Sequence, residues 1–181
     1  MSAYAKPQPA PHASRAAHSK RNFIVQQGFP EPAAETYNRQ YSALLFQPRL
    51  LGVAFVVASV LQVPAIFLAL GVLLWWCVAL PRLNPFNALY NRALAPTSGI
   101  TLTASPPPRR FSQFLGGSFC LAIAASLTLG FHLTAVVLEA FLMGGTATML
   151  AGFCVGTFVF HVLRGHADIA WNTLPWAAGA R

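Results

Sequence analysis

The chain has 181 residues, of which 55% are hydrophobic and 9% charged, far below the roughly 25% charged of a soluble domain. Its net charge of +8 comes from twelve Lys and Arg against four Asp and Glu, and no Lys or Arg falls within 50–81 or 111–163. Basic residues confined to the flanks of long apolar stretches mark membrane loops and argue against a nucleic-acid footprint, and three cysteines set far apart in apolar runs exclude a disulfide framework.

Residues 1–22 are basic and rich in Ala, Pro and Ser, with no apolar centre of the kind a secretory signal needs. The segment 1–30 reads as a cytoplasmic arm. Its apolar anchors are only Phe23, Ile24, Val25 and Phe29, too few to offset the roughly 1–2 kcal/mol per residue of ordering a backbone. Order there is therefore expected to come from outside, with Lys6, Arg15, Lys20 and Arg21 facing partner subunits or anionic headgroups. Over 31–47, Tyr37, Tyr41, Leu44 and Leu45 recur at helical spacing behind Glu31, Pro32 and Glu35. This predicts a short helix lying on the membrane surface, ended at Pro48 because the residue before proline avoids the helical region.

A straight helix over 50–80 would be about 46 Å long, beyond a hydrocarbon core of roughly 30 Å. Gln62-Val63-Pro64 at its midpoint is a break signal, and Arg39, Arg49, Arg82 and Arg92 flank it on both sides. Basic residues on both flanks predict a hairpin with both ends inside, 49–62 and 65–81. In the middle segment, Phe86, Leu89, Tyr90, Ala93 and Leu94 share one face of an interfacial helix, and Pro106-Pro107-Pro108 reads as an extended spacer. The second apolar stretch is turned at Gly130-Phe131-His132 and flanked by Arg109, Arg110 and Arg164, which predicts spans 111–130 and 133–163. Trp171 and Trp176 place the tail, 165–181, in the headgroup layer. The fold expected is an all-α polytopic membrane protein. A domain over 31–164 holds four transmembrane helices as two hairpins, with interfacial amphipathic helices and both termini cytoplasmic.

Several residues bear on chemistry. Small residues recur every fourth position at Ser112, Gly116, Cys120, Ala124 and Thr128, and again at Ala140, Gly144, Thr148, Gly152 and Gly156. Such rows let helices approach closely in lipid, either within the chain or between subunits. Glu139 is the one acid inside either stretch. It is a site for proton relay or ion binding, or a carboxyl hydrogen-bonded between helices. His132 and His161 are possible axial ligands of a haem or pigment, but on one straight helix they would stand about 43 Å apart and could not share one haem. Cys154 is a candidate thiol with no second cysteine nearby.

The connection Pro81-Arg82-Leu83-Asn84-Pro85-Phe86-Asn87-Ala88-Leu89-Tyr90, the run Pro108-Arg109-Arg110-Phe111 and the segment Gly152-Phe153-Cys154-Val155-Gly156 together resemble a bacterial family of small four-helix membrane proteins described only as a domain of unknown function. The resemblance covers roughly 40–164. The family pattern often runs Gly-Phe-Cys-x-Gly-Cys, and Thr157 stands here in the place of the second cysteine. The resemblance implies a link with thioredoxin-like or sulfur-handling proteins.

No catalytic motif is present, so the expected role is a non-catalytic accessory subunit of a larger bacterial inner-membrane complex, of respiratory or photosynthetic type. Two alternatives stand beside it: a membrane thiol or sulfur-handling protein using Cys154, and a small transporter or proton pathway through Glu139. No metal and no cofactor of the chain's own is expected, with a pigment or haem shared with a partner left open. The partners expected are other membrane subunits and anionic lipid, and not nucleic acid.

Overall fold

The computed structural model describes residues 15–31 and 33–177. Among them all regular structure is helical. The first half of the expected arm and the last four residues of the tail lie outside the described residues.

Helix α1 (Arg15–Gln26) leads through a turn to α2 (Tyr37–Leu44) and α3 (Phe46–Leu61). These last two form one nearly continuous apolar helix, Tyr37–Leu61, and Pro48 does not end it. Pro48 is the third residue of α3, in a first turn where a missing N–H costs little. The chain then breaks at Gln62, which is left-handed (φ 50°), and Val63, and α4 (Pro64–Ala79) begins on Pro64. After a 3-10 turn comes α5 (Pro85–Ala93), capped by the Asn84 side chain, which accepts from the Phe86 and Asn87 amides. A short α6 (Ala95–Ser98) precedes α7 (Pro107–Thr128). The three prolines do not form a spacer. Pro106 is the N-cap of α7, and Pro107 and Pro108 lie in its first turn, positions whose amides have no helical partner in any case.

The expected fourth span, 133–163, is two helices: α8 (His132–Leu150) and α9 (Val155–Leu163). Gly152 separates them with φ 93°. Its amide donates to the Met149 carbonyl and the Phe153 amide to that of Thr148, the paired bonds of a glycine-terminated helix. Gly130 (φ 77°) ends α7 in the same way, with Phe131 N–H on Ser126 O. The last helix is α10 (Ala167–Asn172).

Among the described residues three helices are long and apolar enough to cross a membrane: Tyr37–Leu61, Pro107–Thr128 and His132–Leu150. Helix α4 is a shorter apolar helix of 16 residues. Valines 53, 56, 57 and 60 on α3 and Leu133, Val136, Val137 and Phe141 on α8 are exposed, as helices facing lipid require. Helix α7 is the hub, with α4, α8 and α9 packed along it, while α3 lies along α8 and touches α4 little. At the α4–α7 crossing, a Cβ on Gly71 would stand 3.1 Å from Gly117 O, and one on Gly117 would stand 3.2 Å from Gly71 O. The two backbones meet directly there, as small residues allow.

Two apolar clusters result. The first joins Leu51 and Phe55 of α3, Phe67 and Leu74 of α4, Ile123 of α7 and Leu142 of α8. The second overturns the expectation for the arm. Phe23 and Ile24 of α1 are fully buried among Leu44, Leu45, Tyr90, Leu102 and Cys154. Phe23 also meets Tyr41 edge-on at 5.2 Å. Residues 15–29 are thus ordered by the chain's own surface, because α2, α5 and the α8–α9 break supply the apolar partners that the segment lacks by itself.

Candidate functional site

The chemistry gathers where α2 turns into α3, α7 begins, and α8 breaks. Arg109, in the first turn of α7, is 3% exposed. Its Nη2 donates to the Leu44 carbonyl at 3.1 Å and to Gln47 Oε1 at 3.4 Å, and Phe29 lies against the guanidinium with its centroid 5.9 Å away. Its Nη1 has no partner among the described residues. No carboxylate among them pairs with it. Glu31 is engaged by Arg21 through two guanidinium nitrogens, and both Glu139 oxygens accept from Gln62 Nε2 at 3.0 Å. One turn on from Arg109, Gln113 Nε2 donates to Gln47 Oε1 at 3.0 Å, and Gln113 Oε1 is buried without a donor among the described residues.

These groups close one end of a cavity of about 240 Å³. Gln47, Arg109, Ser112, Gln113 and Cys154 give it polar groups, and apolar residues including Leu51, Phe55, Leu74, Phe119, Leu142 and Met149, together with Thr146, line much of the rest. A pocket with apolar walls and a few convergent polar groups is the ordinary form of a small-molecule site. Gly145 also borders it, and a Cβ there would meet nothing within 4 Å.

Cys154 is 2% exposed and is the N-cap residue of α9. Its Sγ stands 3.1 Å from Ser112 Oγ, and its amide donates to Gln26 Oε1 at 3.0 Å. Cys77, Cys120 and Cys154 are all free and buried. Thr157 is fully buried and donates from Oγ1 to the Cys154 carbonyl at 2.9 Å. The position of the missing second thiol is therefore one turn from the first, facing the same backbone.

The two histidines part company. His132 is exposed at the start of α8. His161 is buried on α9, where Nε2 donates to the Gln26 carbonyl at 3.0 Å. The break at Gly152 removes the straight helix on which their separation was reckoned. No group of three or more His, Cys, Asp or Glu able to hold a metal occurs among the described residues.

The small-residue rows divide as well. On α7, Cys120 and Ala124 are buried in the first cluster, and a Cβ on Gly116 would stand 3.5 Å from Leu74. On α8, Ala140, Gly144 and Thr148 face outward, and a Cβ on Gly144 would meet nothing within 4 Å. Gly152 is a helix stop. Gly156 belongs to α9, where a Cβ would stand 3.0 Å from the Ser112 backbone.

Sequence reasoning read Arg109 as a flanking charge and as part of a family motif, and passed over Gln47 and Gln113. The signal available was Gln113 itself, an amide two residues into a long apolar stretch. A family model described as a domain of unknown function, DUF4395, matches residues 42–164. No curated protein and no solved structure matches the chain.

Proposed function

The chain belongs to the DUF4395 family, whose description names no activity, and we propose from that premise that it is a non-catalytic binding component of the bacterial cytoplasmic membrane. The observation that carries this reading is the cavity of about 240 Å³ between α3, α7 and α8, apolar along its walls and polar at one end. The topology proposed with it has four crossings, α3, α4, α7 and α8. Arg49, Arg82, Arg109, Arg110 and Arg164 then lie on the cytoplasmic side together with both termini. In that orientation the polar end of the cavity sits near the cytoplasmic interface and its apolar part within the bilayer. The occupant is then a membrane-borne small molecule that enters from the lipid.

The test is native mass spectrometry of the full chain released from a mild neutral detergent. The wild type is expected to carry a bound species of small mass. Gly145→Leu, which fills the cavity without meeting a neighbour at Cβ, is expected to lose it. A wild type that flies bare under conditions preserving known lipid complexes would overturn the reading.

A second reading, an accessory subunit of a larger complex, is supported by the outward row Ala140, Gly144 and Thr148. Close approach of another helix needs such a face. Gentle solubilisation followed by size analysis decides it. A chain that runs alone contradicts that reading and leaves the cavity reading untouched.

A further inference from the structure

We propose that the cavity takes a single-chain amphiphile whose head is an oxyanion, a carboxylate or phosphate monoester, seated on Arg109. The proposal rests on reading the cavity as a binding site, and it adds the chemistry of the occupant.

Three observations converge on it. Arg109 keeps its charge at any physiological pH, yet it is 97% buried with one nitrogen, Nη1, unpartnered among the described residues. Its partners are a carbonyl and an amide oxygen, both neutral. A buried cation held only by neutral acceptors is short of a counter-charge, and no carboxylate among the described residues forms an ion pair with it. Second, Ser112 borders the cavity one turn from Arg109 and is 3.1 Å from the Cys154 sulfur. When the thiol donates in that pair, the hydroxyl proton is free for an incoming oxygen. A guanidinium beside a hydroxyl is the donor pattern that a carboxylate or phosphate selects. Third, the remainder of the cavity wall is apolar, Leu51, Phe55, Leu142 and Met149 among it, except for Thr146, whose hydroxyl is committed to the Leu142 carbonyl. Its volume of about 240 Å³ lies at or below the low end of the roughly 300–1,000 Å³ range of ligand pockets. That volume suits one acyl chain and not two.

The probes are dodecanoate, dodecyl phosphate, dodecanol and inorganic phosphate, each titrated against the full chain in a neutral maltoside detergent, with the thermal midpoint as readout. Dodecanoate and dodecyl phosphate are expected to raise the midpoint saturably. Dodecanol is expected to need about tenfold more, the usual worth of a hydrogen bond to a charged partner. Inorganic phosphate should leave the midpoint unchanged. Arg109→Gln should erase the difference between acid and alcohol. Because that variant also removes a bond to Leu44 and so acts on stability, Gly145→Leu serves beside it, keeping Arg109 and blocking the chain. It should lose the response to both amphiphiles. Dodecanol acting as strongly as dodecanoate overturns the oxyanion and leaves the binding reading standing. Inorganic phosphate acting as strongly as dodecyl phosphate overturns the acyl chain and reassigns the site to free anions. No response from any probe removes both proposals.

Discussion

At the scale of single residues, most of the architecture turns on where side chains are absent. Gly71 and Gly117 face each other across the α4–α7 crossing, and a Cβ at Gly117 would run into the Trp75 ring. Trp75 packs against Phe114 at 5.4 Å, and even if it swings aside the Gly71 carbonyl stays 3.2 Å from the new Cβ. Gly117→Leu is therefore expected to destabilise the bundle by about 1–3 kcal/mol, the usual cost of overfilling a packed interface. The measurement is the detergent melting midpoint. The control is Gly144→Leu, which meets nothing and should leave the midpoint in place. Cys154 supports a prediction of a different kind. Its sulfur is buried and hydrogen-bonded to Ser112, so a water-soluble maleimide should label it slowly in the folded chain and rapidly after denaturation. Fast labelling of the native protein would show that the thiol is open to water and would restore the sulfur-handling reading. Thr157 shows how far such a reading can be taken from sequence. The missing second cysteine is plain in the chain, but only the fold shows that Thr157 uses its hydroxyl to hold the Cys154 carbonyl.

At the scale of elements, the departures from expectation have physical causes. Gly152 falls four residues from Thr148 and four from Gly156, so by spacing it belongs to a packing row. A glycine serves helix approach and helix termination equally well, and spacing does not separate the two uses. The distinguishing clue is Phe153, an apolar residue directly after the glycine, where a terminating motif often places one. Arg109 was legible as a charge, but its burial was not. The groups that cover it, Phe29 and the Leu44 carbonyl, come from segments more than sixty residues away in sequence. By contrast the Gln62-Val63-Pro64 break and the helical reading of 85–94 follow from local chemistry, a proline start in each case and an Asn84 cap in the second. Helix α1 is the element that sequence reasoning undervalued. Gln26 holds it to both ends of α9, accepting from the Cys154 amide and from His161. Gln26→Ala strands the Cys154 N–H in a buried setting, at an expected cost of about 1–3 kcal/mol. Hydrogen exchange provides the check: protection at Cys154 should fall while protection in the middle of α7 is kept. Unchanged protection at Cys154 would show that α1 does not hold this junction.

At the scale of the whole molecule, the central helix α7 carries the first cluster on one stretch and, through Arg109 at its start, reaches the second. The apolar helices and the cap built from α1, α2 and α5 are thus packed against one another through α7. Reporter fusions test the proposed orientation. Insertions at Gly99, which is exposed on the middle segment, and after residue 177 should both read cytoplasmic, and one at Gly130 should read external. An external signal at Gly99 would mean that 50–80 crosses the membrane once, and the charge argument from Arg49 and Arg82 would fail.

The 16 residues of α4 have a further consequence for the lipid. At 1.5 Å per residue the helix is about 24 Å long, some 6 Å less than a typical hydrocarbon thickness, while α7 beside it, at 22 residues, is about 33 Å. A bilayer cannot match both neighbours at once. With α4 as a crossing, the annulus must thin on its flank, where Leu68 and Val72 face outward, at a cost that grows with acyl length. The protein is then a sensor of hydrophobic mismatch by construction. Reconstituted into lipids of increasing chain length, it should melt highest in the thin bilayers and lose stability steadily as they thicken. A midpoint indifferent to thickness would mean that α4 does not bear the span.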